Sequence, residues 1–135
     1  MKIALISFHS SPLEALGEKD AGGMNVYIRC LSEGLRDLGH SVDIFSRAFN
    51  SGIAKIEFQD GNEFESSVRH FHFRAGPYDI NKSQFLDYID EFAEKVVGFC
   101  NENDLRYDLI SSHYWLSAII GQKLSDYWQI SHVTT

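Results

Sequence analysis

The chain has 135 residues, 44% of them apolar and 23% charged, with a formal net charge of −7. That is one domain's worth of sequence with an ordinary globular composition, which excludes wholesale disorder, collagen-like repeats and low complexity. Lys and Arg are scattered without a basic cluster, against a nucleic-acid groove, and no apolar run approaches the roughly 18 residues that a membrane span needs.

The first predicted element is a strand over Lys2 to Phe8, whose run Ile3-Ala4-Leu5-Ile6 suits a strand covered on both faces. One Lys leads straight into it and no small-residue cleavage site follows, so it does not read as a signal peptide. Residues 9 to 23 form a loop rich in Ser, Pro and Gly. A helix is expected from Gly22-Gly23, with Met24, Ile28, Leu31, Leu35 and Leu38 on one stripe and Gly39 at its C-terminal end. Ser41 to Arg47 follows as the second strand, which completes a right-handed parallel βαβ unit.

The middle of the chain departs from that rhythm. Strands over Lys55 to Gln59 and Val68 to Arg74 flank the turn sequence Asp60-Gly61-Asn62 and predict a hairpin. Ala75-Gly76-Pro77-Tyr78 is a loop, and Ser83 is the expected N-cap of a helix with Phe85, Leu86, Ile89, Phe92, Val96 and Phe99 on one face, ending before Asn101. A strand over Tyr107 to Ser112, a helix over Leu116 to Trp128 and a strand over Ile130 to Thr134 complete the pattern. The alternation is that of an α/β Rossmann-like fold, a mostly parallel sheet flanked by helices. Such sheets bind ligands beyond the C-terminal strand ends, at the switch in strand order, so the loops after Phe8, Arg47, Arg74 and Ser112 are where chemistry is sought.

The loop after the first strand carries His9-Ser10-Ser11-Pro12 and Asp20-Ala21-Gly22-Gly23-Met24-Asn25. Neither a G-x-G-x-x-G fingerprint nor a G-x-x-x-x-G-K-[ST] phosphate loop is present. Two glycines before a helix let a ligand approach the free amides of its first turn; equally, they could serve only to turn the loop. His9 and His113 both fall at C-terminal strand ends and would converge on one crevice. His70 and His72 share a strand face, read here as a solvated polar face in preference to a metal pair, because no third ligand is placed nearby. His40 reads as a surface residue, and His132 has no functional argument. Cys30 and Cys100 lack zinc-site spacing and read as buried free thiols in a reducing cytoplasm.

These residues carry a resemblance. Ile6-Ser7-Phe8-His9-Ser10-Ser11-Pro12-Leu13, then Asp20-Ala21-Gly22-Gly23-Met24-Asn25-Val26-Tyr27, Ala75-Gly76-Pro77-Tyr78, Tyr107-Asp108-Leu109-Ile110 and Ser112-His113-Tyr114-Trp115-Leu116-Ser117 occur in order. The chain resembles the N-terminal domain of family 4 retaining glycosyltransferases of the sucrose synthase, sucrose-phosphate synthase and mycothiol-pathway N-acetylglucosaminyltransferase type. The resemblance implies half of a GT-B architecture, in which a sugar moves with retention from a nucleoside-diphosphosugar to a small hydroxylated acceptor, with or without a phosphate. The nucleotide sugar is a co-substrate; no cofactor or metal is implied. It places Gly22 and Gly23 at the donor diphosphate. His9, Ser10, Asn25, Lys82, His113 and Tyr114 fall on the acceptor side, Asn25 within reach of either sugar. The Lys82 match needs a one-residue gap, since an ungapped alignment puts Ser83 there.

The family's A-H-[TS]-L block would begin just past Thr135, and its E-x7-E segment is absent. The expectation is therefore a truncated acceptor-side domain that folds but does not turn over alone, with a homodimer left open. Two alternatives stand beside it: a free-standing Rossmann-like module binding a small phosphorylated ligand without catalysis, and a regulatory domain with a vestigial site.

Overall fold

A computed structural model describes residues 1–9, 23–53, 55–58 and 68–135. The elements run β1 (Lys2–Ile6), α1 (Gly23–Asp37), β2 (Ser41–Arg47), β3 (Ile56–Phe58), β4 (Val68–Phe73), a 3-10 segment (Lys82–Tyr88), α2 (Ile89–Glu102), β5 (Leu109–Ser112), α3 (Trp115–Trp128) and β6 (Ser131–Thr134). The six strands lie in the order β3-β4-β2-β1-β5-β6. All neighbours are parallel except β3, which runs antiparallel to β4. The expected hairpin is thus present as a strand pair, while its turn at Asp60-Gly61-Asn62 lies outside the described residues.

Alternation along the strands sorts side chains onto two faces. Ala4, Ile6, Phe45, Phe71, Phe73 and Ile110 face α2 and α3, where Phe85, Phe92, Val96, Phe99, Leu116, Ile120 and Leu124 close the larger core. Aromatic rings dominate it: Phe45 stacks on Phe71 at 5.3 Å and Phe8 meets Phe92 edge-on at 4.9 Å between centroids. The opposite face packs Leu5, Val42, Ile44 and Val68 against Ile28 of α1, with Met24, Leu31 and Leu35 partly buried beside them. Leu38, the last residue of the expected stripe, is 76% exposed, because the helix ends at Asp37 and Gly39 turns the chain at φ 94°.

Asp43 interrupts the apolar run of β2 and is buried. Arg69 donates to it twice, each at 2.8 Å, and the Tyr107 hydroxyl donates at 2.7 Å. This fully bonded carboxylate ties β2 to β4 and to the approach of β5; unpaired, it would be costly to bury.

Several expectations are corrected. Ser83 does not cap a helix: its hydroxyl bonds the Asn81 side chain, and Asn81 caps the 3-10 segment, with its N–H donating to Gln84 Oε1 at 3.1 Å. The tighter 3-10 winding turns Leu86 outward, 54% exposed, while α2 itself runs through to Glu102. Cys30 is exposed on the outer side of α1, whereas Cys100 is buried. His70 and His72 are not solvated but 0% and 4% exposed, on the face that α1 covers.

Burial, aided by His72 and Arg29, pushes the His70 imidazole down to about 3. The unfolded chain binds that proton near pH 6.5 and the folded chain does not, so acid favours unfolding between those values. Stability is therefore expected to fall by about 2 kcal/mol from pH 7.5 to pH 5 through this one group. Urea denaturation of the wild type and of His70→Asn across that range checks it: the variant should lose most of the slope.

Candidate functional site

The strand order places β1 at the switch. From β1 the chain passes through α1 to β2 on one side, while β5 and β6 lie on the other. The crevice beyond β1 and β5 is built by short backbone links that extend the ladder. The Ser7 amide donates to Phe45 O at 2.9 Å and the His113 amide to Ile6 O at 3.1 Å. The Phe8 amide leaves the ladder and donates to Ser117 Oγ at 2.9 Å, a buried bond that anchors the start of the loop to the first turn of α3.

Five expected site residues assemble at this end. His9 stacks obliquely on Tyr114, 4.6 Å between ring centroids. Tyr114 stands at φ 78°, an uncommon backbone state for a bulky residue, and remains 39% exposed. His113 is fully buried; Ser111 Oγ lies 3.1 Å from its Nε2, and its Nδ1 has no hydrogen-bond partner among the described residues. Burial lowers its pKa, so the imidazole is neutral at pH 7. Gly23 is the first residue of α1, exposed, and a Cβ there would meet no atom of the described residues within 4 Å. Asn25, in the same turn, is 1% exposed. Ser10 and Gly22 lie outside the described residues.

Lys82 stands apart from this group. It opens the 3-10 segment after β4, on the same edge of the sheet but across β2 from β1. Arg47, at the end of β2, shapes its approach. The Arg47 guanidinium donates to the carbonyls of Ala75 at 2.9 Å, Pro77 and Tyr78 and lies 5.2 Å over the Phe85 ring. Gly76 makes the turn at φ 71°, with the Tyr88 ring where a Cβ would fall.

Two further residues, present in the quoted strings without a role, help to form the site. Tyr27, one turn after Gly23, brings its ring within 5.7 Å of His113 and is 47% exposed. Ser117 sat in the Ser-His-Tyr-Trp-Leu-Ser string without a role, and its bond to Phe8 supplies one. Position four after a helix-opening glycine is the signal that points to Tyr27, since i and i+4 share a face.

The helix ends differ in charge. α2 has Asp90 and Glu91 in its first turn, whereas α1 and α3 have no acidic residue there. The positive ends of α1 and α3 therefore face the crevice without a carboxylate of their own, which suits an anion. Among the described residues no group of three or more His, Cys, Asp or Glu could hold a metal ion, and no helix is long and apolar enough to cross a membrane.

Comparison with known proteins identifies the family and the fold. A family model described as a glycosyl transferase 4-like domain matches residues 22–135. The chain is 45% identical over 137 residues to the D-inositol 3-phosphate glycosyltransferase of Corynebacterium urealyticum, covering 100% of this chain and 31% of that protein. It is 41% identical over 140 residues to the protein of the same name from Kribbella flavida, again covering 31% of the relative. The chain thus spans about a third of the length of the curated relatives it matches. Sucrose-phosphate synthase from Thermosynechococcus elongatus superposes with a TM-score of 0.84 at 29% identity, over 98% of this chain and 32% of that one. The catalytic domain of starch synthase IV from Arabidopsis thaliana, bound to ADP and acarbose, shares the fold at a TM-score of 0.61 and 11% identity, over 98% of this chain and 32% of that one.

Removing the Ser117 hydroxyl leaves the buried Phe8 N–H without its acceptor. Ser117→Ala is expected to cost about 1–3 kcal/mol, read from the urea midpoint, and to raise amide exchange at Phe8 and His9.

Proposed function

The chain belongs to the glycosyl transferase 4-like domain family, and from that premise we propose that it forms the acceptor-side half of a retaining glycosyltransferase. The sugar comes from a nucleoside-diphosphosugar and passes to a small hydroxylated, phosphorylated acceptor. An inositol phosphate is the first candidate, because D-inositol 3-phosphate appears in the names of the corynebacterial and Kribbella relatives. The other half of the cleft, holding most of the nucleotide, belongs to sequence beyond these 135 residues.

The observation that carries the reading is the open N-terminus of α1. Among the described residues nothing stands where a Gly23 side chain would, no acidic residue occupies the first turn, and His9, Asn25, His113 and Tyr114 belong to the same strand-end region. In the proposed role, the amides of that turn hold the donor diphosphate and stabilise the charge that builds on it as the glycosidic bond breaks. The benefit is electrostatic and preorganised, since a helix end needs no rearrangement at the moment of reaction. The Tyr114 hydroxyl and Lys82 hold the acceptor phosphate. His9 and Ser10 line the acceptor pocket, and Asn25 hydrogen-bonds a sugar from below. His113, neutral and buried, fixes the floor between β1 and β5.

The test uses the protein in which this chain is joined to the remaining length of its relatives. Gly23→Leu is expected to lower kcat/KM about 100-fold or more, on the scale of losing an oxyanion-type donor, with melting temperature little changed. Tyr114→Phe is expected to raise the acceptor KM about tenfold for a phosphorylated acceptor, the scale of one charge-assisted hydrogen bond, and to leave kcat within about twofold. An unchanged KM removes Tyr114 from the site. Tight, Gly23-dependent binding of inositol phosphate with no transfer from any nucleotide sugar would favour the non-catalytic module.

A further inference from the structure

A second recess lies at the outer edge of the sheet, away from the β1–β5 crevice. β3 is only three residues long and pairs no farther along β4 than Phe71, with the His72 amide donating to Lys55 O at 2.8 Å. The end of β4 is left open there, and α2 passes beside it. The recess has a volume of about 500 Å³ and takes its walls from both elements. That is within the range of small-molecule sites.

Its lining runs against the composition of the chain. In a protein of net charge −7, Lys55, Arg74 and Lys95 meet here, with Glu102 as the one carboxylate in the wall among the described residues. Lys55 Nζ lies 5.0 Å from the Phe99 ring centroid and 5.6 Å from that of Phe73. The Arg74 guanidinium lies 4.2 Å from the Tyr78 ring centroid, with Nε donating to Gly76 O at 3.1 Å. Neither Lys55 nor Arg74 has an ion-pair partner among the described residues. The rings orient both cations without neutralising them. Lys95 is fixed beside them, donating to Arg74 O at 2.5 Å and 3.6 Å from Glu91.

Gly98 supplies an independent sign. It stands inside α2, where glycine costs roughly 1 kcal/mol relative to alanine. A Cβ there would meet no atom within 4 Å, so packing does not require the glycine. What its missing side chain does is widen this recess, whose wall it forms.

We propose that the recess is a second ligand site, for a small phosphorylated molecule of sugar-phosphate size. Lys55, Arg74 and Lys95 take the phosphate, and the rest of the recess, beside Gly98, takes the uncharged ring. The proposal is independent of the glycosyltransferase reading, because it shares none of the residues assigned to that reaction.

The test is an NMR titration of the 135-residue chain with inorganic phosphate, glucose 6-phosphate and glucose at fixed ionic strength. Saturable shifts are expected at Lys55, Arg74, Gly98 and Phe99 with the two phosphates, tighter for the sugar phosphate, and none with glucose. Lys55→Gln and Arg74→Gln should each weaken binding on the order of tenfold, the scale of one charge-assisted contact. Gly98→Leu should abolish it while the melting temperature holds or rises, which guards against a folding defect. Shifts confined to His9, Gly23 and Tyr114 would overturn this proposal and leave the proposed function standing. Equal, non-saturating responses to phosphate and chloride would overturn it as bulk screening, as would full affinity in Gly98→Leu.

Discussion

The hydrogen bond from the Phe8 amide to Ser117 Oγ is the constraint on which the candidate site depends. β1 is the central strand, and its chain must leave the sheet at the point where a ligand would sit. Ser7 still bonds the β2 ladder and Phe8 O accepts from Arg47 at 3.3 Å, but the Phe8 N–H finds its partner on α3. One buried donor thus links β1, β2 and α3 within a single residue. The Phe8 ring reinforces the link, packed edge-on against Phe85 and Phe92. His9 is held by this anchor, and it reaches Tyr114 because Tyr114 is the N-cap of the helix that supplies Ser117. The ring contact between His9 and Tyr114 follows from the backbone bond three residues farther on.

The same edge of the sheet is braced a second time by Arg47. Its guanidinium is spent on three backbone carbonyls of the loop after β4, with burial and Arg74 lowering its pKa. The planar fork suits several carbonyls at once, and a lysine could not reproduce it. A cation at a C-terminal strand end of an α/β sheet invites assignment to a ligand. Here it serves the loop instead, leaving Lys82 exposed at the start of the 3-10 segment. Charge in such a site is therefore divided between cations that hold the protein's own backbone and cations that remain accessible.

Most of the fold was legible because it rests on periodicity. The apolar run of β1, the Ile28 stripe of α1 and the Gly39 turn all express local rules that tertiary contacts did not override. The failures share one cause, which is that polarity along a strand does not report what lies above it. His70 and His72 alternate with Phe71 and Phe73, the pattern of a half-solvated strand, yet β4 has neighbours on both sides and α1 covers its second face. That face is apolar at Leu5, Val42, Ile44 and Val68. Toward the C-terminal edge it turns polar but stays buried, with Ser7, Ser46, Asn25, Ser32 and the two histidines at or below 4% exposure. A sequence window cannot separate a polar surface from a polar interior. Ser83 failed for a related reason, because Asn81 competes for the same cap and the choice lies in a 3-10 turn of two residues' difference.

The polar interior under α1 has a consequence for that helix. Its N-terminal turn buries Asn25 beside Met24, which packs on the small apolar cluster, and the later turns add Ile28, Leu31 and Leu35 to that cluster. Its first turn also lacks the acidic residues that α2 places at its own start, Asp90 and Glu91. A helix that forgoes a stabilising charge at its N-terminus gives up roughly 0.3–1 kcal/mol per missing charge. An anionic ligand restores that interaction when it binds. Ligand affinity and local order at Gly23 are then linked quantities, and each should strengthen the other, because binding to the ordered state draws the helix start toward it.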